Sequence, residues 1–375
     1  MAPTDMAESP QRLLVRPGRD LRLDILRGWL QVSIFGAHAV GSAFGAYGIH
    51  AAWGLSDASG QFLFLSGFVL ASVFTLKARR DGAAAAAQDT WRRAGRLWCK
   101  HMALFLLFGA MILWAERALP LPGEGERLAW GLLVAQPFTA LWGAATLLYL
   151  PNYIDVLPVF ILAMLALPGM LWLVARAGAW ALAPSAVLWA GVQVGAWQYW
   201  GWLPVGLDPL AWQFAFMLGA WFGRRALLEG AAVRRHGWAI VLAVLVIALG
   251  FVQRAAEGFG GGLDVETIWM LAGKTHLGPL ALLHGLAIAY LVAVLVPREA
   301  GWMRHAVPQA LAAVGRHSLD VFCIGLFLSW MVSAGLRMHP GHGWLDPLLT
   351  LAGIGILVGF ALAVERQRLA PAAAR

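Results

Sequence analysis

The chain has 375 residues, of which 60% are hydrophobic and only 13% charged, and its mean hydropathy is +0.68. Several apolar runs reach the ~20 residues needed to cross a bilayer, which excludes an ordinary soluble globular protein. A net charge of +8 would point a soluble protein towards nucleic acid; here it is expected in loops on the cytoplasmic side, and no nucleic-acid partner is expected.

The fold class read from this pattern is an all-α polytopic membrane protein. A cytoplasmic tail (1–23) with Arg12, Arg16, Arg19 and Arg22 precedes the membrane domain (24–364), and a second cytoplasmic tail (365–375) follows. The first apolar run has no small-residue cleavage site, so it reads as a retained helix and not a signal peptide. It carries Asp24, Arg27, Gln31, His38 and Ser42. At about 100° per residue these fall on one side of a helix. Ionisable groups inside a membrane are costly and face a bundle interior, a water-filled cavity or a reaction site; a structural seam between helices is the plainer alternative. Arg27 and His38 are separated by ~16 Å of helix at about 1.5 Å per residue. Arg27 thus falls near the inner surface and His38 in the outer half. Asp24 is expected to pair with Arg27, and any partner of His38 must come from another helix. Asp57 and Gln61, at the outer end of the second run, lie at the right depth, although Asp57 also suits a helix N-cap.

Ten spans are expected, at about 24–44, 57–76, 98–118, 156–175, 182–199, 209–223, 237–253, 278–296, 316–336 and 345–364. With both termini inside, 23 of the 28 Lys and Arg lie on the cytoplasmic side. An eleventh run, 128–149, would invert the Arg224–Arg235 loop if it crossed, against the positive-inside rule. It also has Pro137 at its middle, where proline breaks the helix ladder. It is therefore expected to be a re-entrant or interfacial element. The inner stretch 78–94, with its alanine run, reads as a mobile linker. Ser66-Gly67 reads as close helix packing and not as a nucleophile. In the outer loops, Tyr199 to Trp202, the Gly258–Gly262 region with Asp264 and Glu266, and His339 to Trp344 read first as an interfacial aromatic belt. Aromatic faces of this kind also stack on sugar rings.

Arg92, Arg93, Arg96, Lys100 and His101 open the third run from the inside. The arginine fork matches phosphate, so Asp24, Arg27, Arg96 and His101 are the expected set for a phosphate-bearing ligand, with plain positive-inside charge as the alternative for Arg92 and Arg93. Lys274 and His284 flank the eighth span and can meet an anionic acyl or sugar group; an interhelical hydrogen bond is the simpler account of His284. Cys99 and Cys323 form no disulfide or metal pattern, and no metal site or bound cofactor is expected.

Arg27-x10-His38 resembles the arginine–histidine signature of the acyltransferase-3 superfamily. More narrowly, seven segments in order resemble the OpgC family, which succinylates osmoregulated periplasmic glucans. They are Arg22 to Gly28, Leu55 to Ala58, Phe62 to Phe68, Leu157-Pro158, Pro209 to Gln213, Gly273-Lys274 with Leu277 to Leu280, and Gly315 to Leu319. The resemblance implies an inner-membrane O-acyltransferase that takes a succinyl group from cytosolic succinyl-CoA, a substrate and not a resident cofactor. The acceptor would be a hydroxyl of periplasmic glucan. His38 would be the base, with Asp57 and Gln61 as its catalytic neighbours; a histidine with an ordinary pKa near 6.5 suits that role. Asp24, Arg27, Arg96 and His101 would bind acyl-CoA, and Trp212, Gln213, Lys274 and His284 would hold the acceptor or the acyl group. Two other readings stay open: transfer of acetyl or another acyl group to a different envelope glycan, and a carrier or flippase using the Arg27–His38 seam as its path. A scaffold fits poorly with so many intramembrane charges.

Overall fold

The computed structural model describes residues 18–202, 205–258 and 265–373, and among these every regular element is a helix. Arg12, Arg16 and residues 259–264, Asp264 included, lie outside the described residues. In chain order the α-helices are α1 (Leu21–His38), α2 (Ala58–Asp81), α3 (Ala83–Ala118), α4 (Glu124–Arg127), α5 (Gly131–Ala135), α6 (Pro137–Ala145), α7 (Val156–Ala177) and α8 (Ala183–Gln193). They continue with α9 (Pro209–Glu229), α10 (Gly237–Gly258), α11 (Val265–Leu271), α12 (Pro279–Leu295), α13 (Ala306–Arg316), α14 (Ser318–Met338) and α15 (Leu345–Ala373).

Six helical stretches among the described residues are long and apolar enough to cross a membrane: α2, α3, α7 continued into α8, α10, α14 and Leu345–Arg368 of α15. The expected count of ten is not reached on this measure, for identifiable reasons. α1 carries Arg22, Asp24 and Arg27 within 18 residues. The expected span 182–199 is an 11-residue helix joined to α7 through one 3-10 turn. α12, though apolar, has 17 residues. The expected linker at 78–94 is also corrected. α2 runs to Asp81, α3 starts at Ala83, and only Gly82, at φ +90°, breaks the path. Alanine is the strongest helix former, so the alanine run extends α3 instead of loosening the loop.

Glycines set the closest helix contacts. A Cβ at Gly67 would lie 2.0 Å from the Phe216 carbonyl oxygen, one at Gly219 1.9 Å from that of Phe64, and one at Gly223 2.0 Å from that of Phe68. α2 and α9 therefore touch backbone to backbone, as small residues allow in membrane bundles. Gly28 and Gly315 do the same for α1 and α13, each 1.9 Å from a carbonyl of the facing helix. Ser66-Gly67 thus sits in a packing seam.

The 128–149 segment does not form one helix. It breaks at Gln136-Pro137 into α5 and α6, neither longer than nine residues. Trp130 packs on Phe105 and Phe108 of α3. Further along, Trp98 donates to the Ala145 carbonyl at 2.9 Å, and Tyr153 then returns to Phe108. The segment thus runs along α3 and comes back on the same side. Its base is fixed by Glu124, 1% exposed, which receives Arg127, Trp330 and Arg337. Burial disfavours that charge, but the three donors overcome it and hold the Glu124 carboxyl down at about 2.

Contacts also sort the helix ends. At one end Arg22 donates to the Val296 carbonyl at 2.6 Å and Arg316 pairs with Glu365 at 2.6 Å. Arg19, just before α1, feels the Glu365 charge. At the other end the Ala43 amide donates to Asp346, which opens α15, at 2.8 Å. α1 and α15 are therefore antiparallel, and Arg19 and Glu365 share one end of the bundle.

Candidate functional site

A cavity of about 1660 Å³ runs along the α2 face. One end is lined by Arg19, Arg22, Arg235 and Arg298 together with Asp20, Asp24 and Glu299, the middle by Arg27, Phe64 and Phe68, and the other end by Ser56, Asp57, Gln61, Trp212 and Lys274. On α2 alone the lining extends from Gly60 to Leu76, about 24 Å at ~1.5 Å per residue. A charged, arginine-rich mouth, partly neutralised by Asp20, Asp24 and Glu299, is thus joined to a polar chamber by a mostly apolar passage.

Asp24 is 7% exposed and pairs with Arg19, whose Nη2 reaches Oδ1 at 3.2 Å, and not with Arg27 as expected. The N-terminal approach to α1 brings Arg19 across the first turn, a contact that helical spacing alone does not reveal. Arg27 instead donates from Nη2 to Ser318 Oγ at 2.8 Å and lies 5.6 Å from the Phe62 ring centroid. Its buried Nε has no hydrogen-bond partner. Arg96 is exposed and outside the cavity lining. His101, 0% exposed, turns its Nε2 to the Ala144 carbonyl at 3.3 Å. The expected grouping of Arg27 with Arg96 and His101 therefore does not form, because those two faces of α3 serve the surface and the 128–149 hairpin. Sequence reasoning places Arg235 and Arg298 among topological charges, yet they stand at the cavity's arginine-rich end beside Arg19 and Arg22.

His38 closes α1. Its Nδ1 is 2.8 Å from the Ile34 carbonyl, its ring centroid is 5.1 Å from that of Tyr153, and it faces a small recess with Gln31 and Ser329. It is not in the large cavity's lining. Asp57 caps α2 by accepting from the Gly60 amide at 3.1 Å, and its other oxygen lies 3.2 Å from Lys274 Nζ. The Asp57 carboxylate holds the Lys274 ammonium above its usual pKa. Burial pushes the nearby Asp155 carboxyl up, against the pull of Lys274. Gln61 Nε2 donates to Ser56 Oγ at 3.2 Å. Neither Asp57 nor Gln61 hydrogen-bonds His38; the Ile34 carbonyl orients the ring.

The remaining residues divide. Trp212, 1% exposed, donates to the Lys274 and Thr275 carbonyls at 2.9 and 3.0 Å and fixes the turn that presents Lys274. Gln213 faces away from the cavity and ties α9 to α8 through Ser185, at 2.6 and 2.9 Å. His284, 2% exposed, has Nδ1 2.8 Å from Ser56 Oγ. Sequence reasoning missed Ser56, since its histidine lies 228 positions away.

No curated protein and no solved structure matches this chain. A family model described as OpgC protein matches residues 19–369. The match takes in every helix that lines the cavity and implies a membrane acyltransferase acting on glucan. The chain therefore belongs to the OpgC family.

Proposed function

We propose that the protein moves a succinyl group from cytosolic succinyl-CoA to a hydroxyl of periplasmic glucan, in the inner membrane and with both termini cytoplasmic. The observation that carries this reading is the continuous cavity, arginine-rich at one end and polar at the other. The exposed Arg19, Arg235 and Arg298 suit the phosphates of CoA, since the arginine fork pairs with phosphate, while Arg22 is held by Asp20 and the Val296 carbonyl. The thioester arm follows the apolar passage past Arg27, and the acyl carbonyl reaches the chamber of Ser56, Asp57 and Lys274. Ten passes remain our reading of the topology, with α7 and α8 crossing separately beside α1, α2, α3, α9, α10, α12, α14 and α15.

His38 is the proposed base for the glucan hydroxyl. With Nδ1–H held by the Ile34 carbonyl, Nε2 carries the lone pair that takes the proton. Lys274 suits the free carboxylate of a succinyl group. The test uses isolated membranes, labelled succinyl-CoA and glucan. Wild type should label the glucan, and His38→Ala should lose ~10²–10⁴-fold, the usual cost of removing general acid–base help. A His38→Ala protein within a few fold of wild type at equal expression removes His38 from the chemistry. Labelling by acetyl-CoA but not succinyl-CoA overturns the choice of acyl group.

A further inference from the structure

Ser56 lies in the cavity wall and is held like an activated nucleophile. Its Oγ is 2.8 Å from His284 Nδ1 and accepts from Gln61 Nε2 at 3.2 Å. In the tautomer that leaves Nδ1 unprotonated, the hydroxyl donates its proton to the imidazole. The histidine is fixed in place. A Cβ at Gly54 would meet its ring at 2.6 Å and one at Gly250 at 2.9 Å, so glycine at both positions makes the slot for the imidazole. His284 Nε2 is buried without a partner, so the ring's contact with Ser56 is its one polar tie among the described residues. A nucleophile within hydrogen-bond reach of a base, in the wall of a substrate-sized cavity, is the arrangement of covalent catalysis.

We propose that Ser56, with His284 as its base, is an acyl relay: the acyl group rests on Ser56 as an ester between donor and acceptor. The inference rests on the transferase reading above and adds a covalent step to it. Ser56 Oγ forms a C–O bond to the thioester carbonyl as its proton passes to His284 Nδ1. The C–S bond breaks, and CoA leaves as the free thiol carrying that proton. A glucan hydroxyl then attacks the ester, His284 Nδ1 takes its proton and returns it to the departing Ser56 oxygen, and in the relay His284 thus replaces His38 as the base for that hydroxyl. No oxidant or further reactant is required. Gln61, which already donates to Ser56 Oγ, is placed to steady charge on the attacked carbonyl. Such a relay lets donor and acceptor occupy opposite ends of the cavity in turn.

The experiment mixes the purified full chain with radiolabelled succinyl-CoA, without glucan, and quenches in denaturant. Wild type should retain about one label per chain on the peptide containing Ser56, and adding glucan before the quench should discharge it. Ser56→Ala should hold no label and lose transfer to glucan. Ser56→Cys keeps a nucleophile, so it should hold a thioester that neutral hydroxylamine cleaves. Steady-state rates should give parallel double-reciprocal lines for the two substrates. Wild type that labels glucan but never itself, with Ser56→Ala transferring at the wild-type rate, overturns the relay and leaves the transferase reading standing. Wild type that labels neither chain nor glucan fails the transferase reading, and the relay with it.

Discussion

At the scale of single residues, Arg27 and Glu124 show how the same ionic chemistry serves two ends. Arg27 lines the cavity with one buried N–H that finds no partner among the described residues. Arg27→Lys keeps the charge but loses the planar fork. We expect a higher KM for succinyl-CoA with little change for glucan; equal CoA affinities in wild type and variant would leave Arg27 as a topological anchor. Glu124 is spent internally on Arg127, Arg337 and Trp330. Glu124→Gln should cost about 2 kcal/mol, below the roughly 3–5 of a fully buried pair, because both arginines are partly exposed. The folded carboxyl titrates at about 2 against its ordinary 4.5. Its contribution to stability is therefore complete above about pH 4.5 and disappears as pH falls towards 2. Thermal melts in detergent between these pH values should show a steeper acid loss for wild type than for Glu124→Gln; identical slopes would remove Glu124 from the pH dependence.

Among the elements, the pair α2–α9 decides where the cavity wall stands. Gly67, Gly219 and Gly223 bring the two backbones into direct contact, and α2 with its N-cap then carries Asp57, Gln61, Phe64 and Phe68 along the cavity. Gly219→Ala places a methyl group 1.9 Å from the Phe64 carbonyl oxygen, so the helices must part. Overpacking of this kind costs typically 1–3 kcal/mol, and the melting temperature should fall. Gly355→Ala in α15 meets nothing within 4 Å and should leave the melting temperature equal or slightly raised, alanine being the better helix former. Equal melting of Gly219→Ala and Gly355→Ala would mean that the seam is not tight. The glycines of the family-like segments are explained at this scale: Gly28, Gly67 and Gly315 are contact points between helices, whereas Arg27 and Asp57 in the same segments serve the cavity.

For the whole molecule, the antiparallel arrangement of α1 and α15 puts Arg19 and Glu365 at one end. The number of passes between them must be even. With the positive-inside rule, reporter fusions after residue 368 should give a cytoplasmic signal. A periplasmic signal would reverse the assignment of donor and acceptor ends of the cavity. The 128–149 hairpin accounts for the even count: it runs along α3 and returns without traversing the bundle.

The sequence by itself determined the class, since hydropathy reports directly on a segment's preferred solvent. It also determined that Arg27 and His38 share a helix, that Pro137 interrupts the eleventh apolar run, and that residues 19–330 resemble one family, because these are local or ordered properties of the chain. Tertiary structure alone decided the partners. Asp24 takes Arg19, Asp57 takes Lys274, and His284 takes Ser56 across 228 positions. It turned Arg96 and His101 away from Arg27 and brought Arg298 to the cavity's arginine-rich end. Helical periodicity gives the face of a side chain on its own helix, but the helix that meets that face is fixed by packing, here by glycine contacts between segments far apart in sequence.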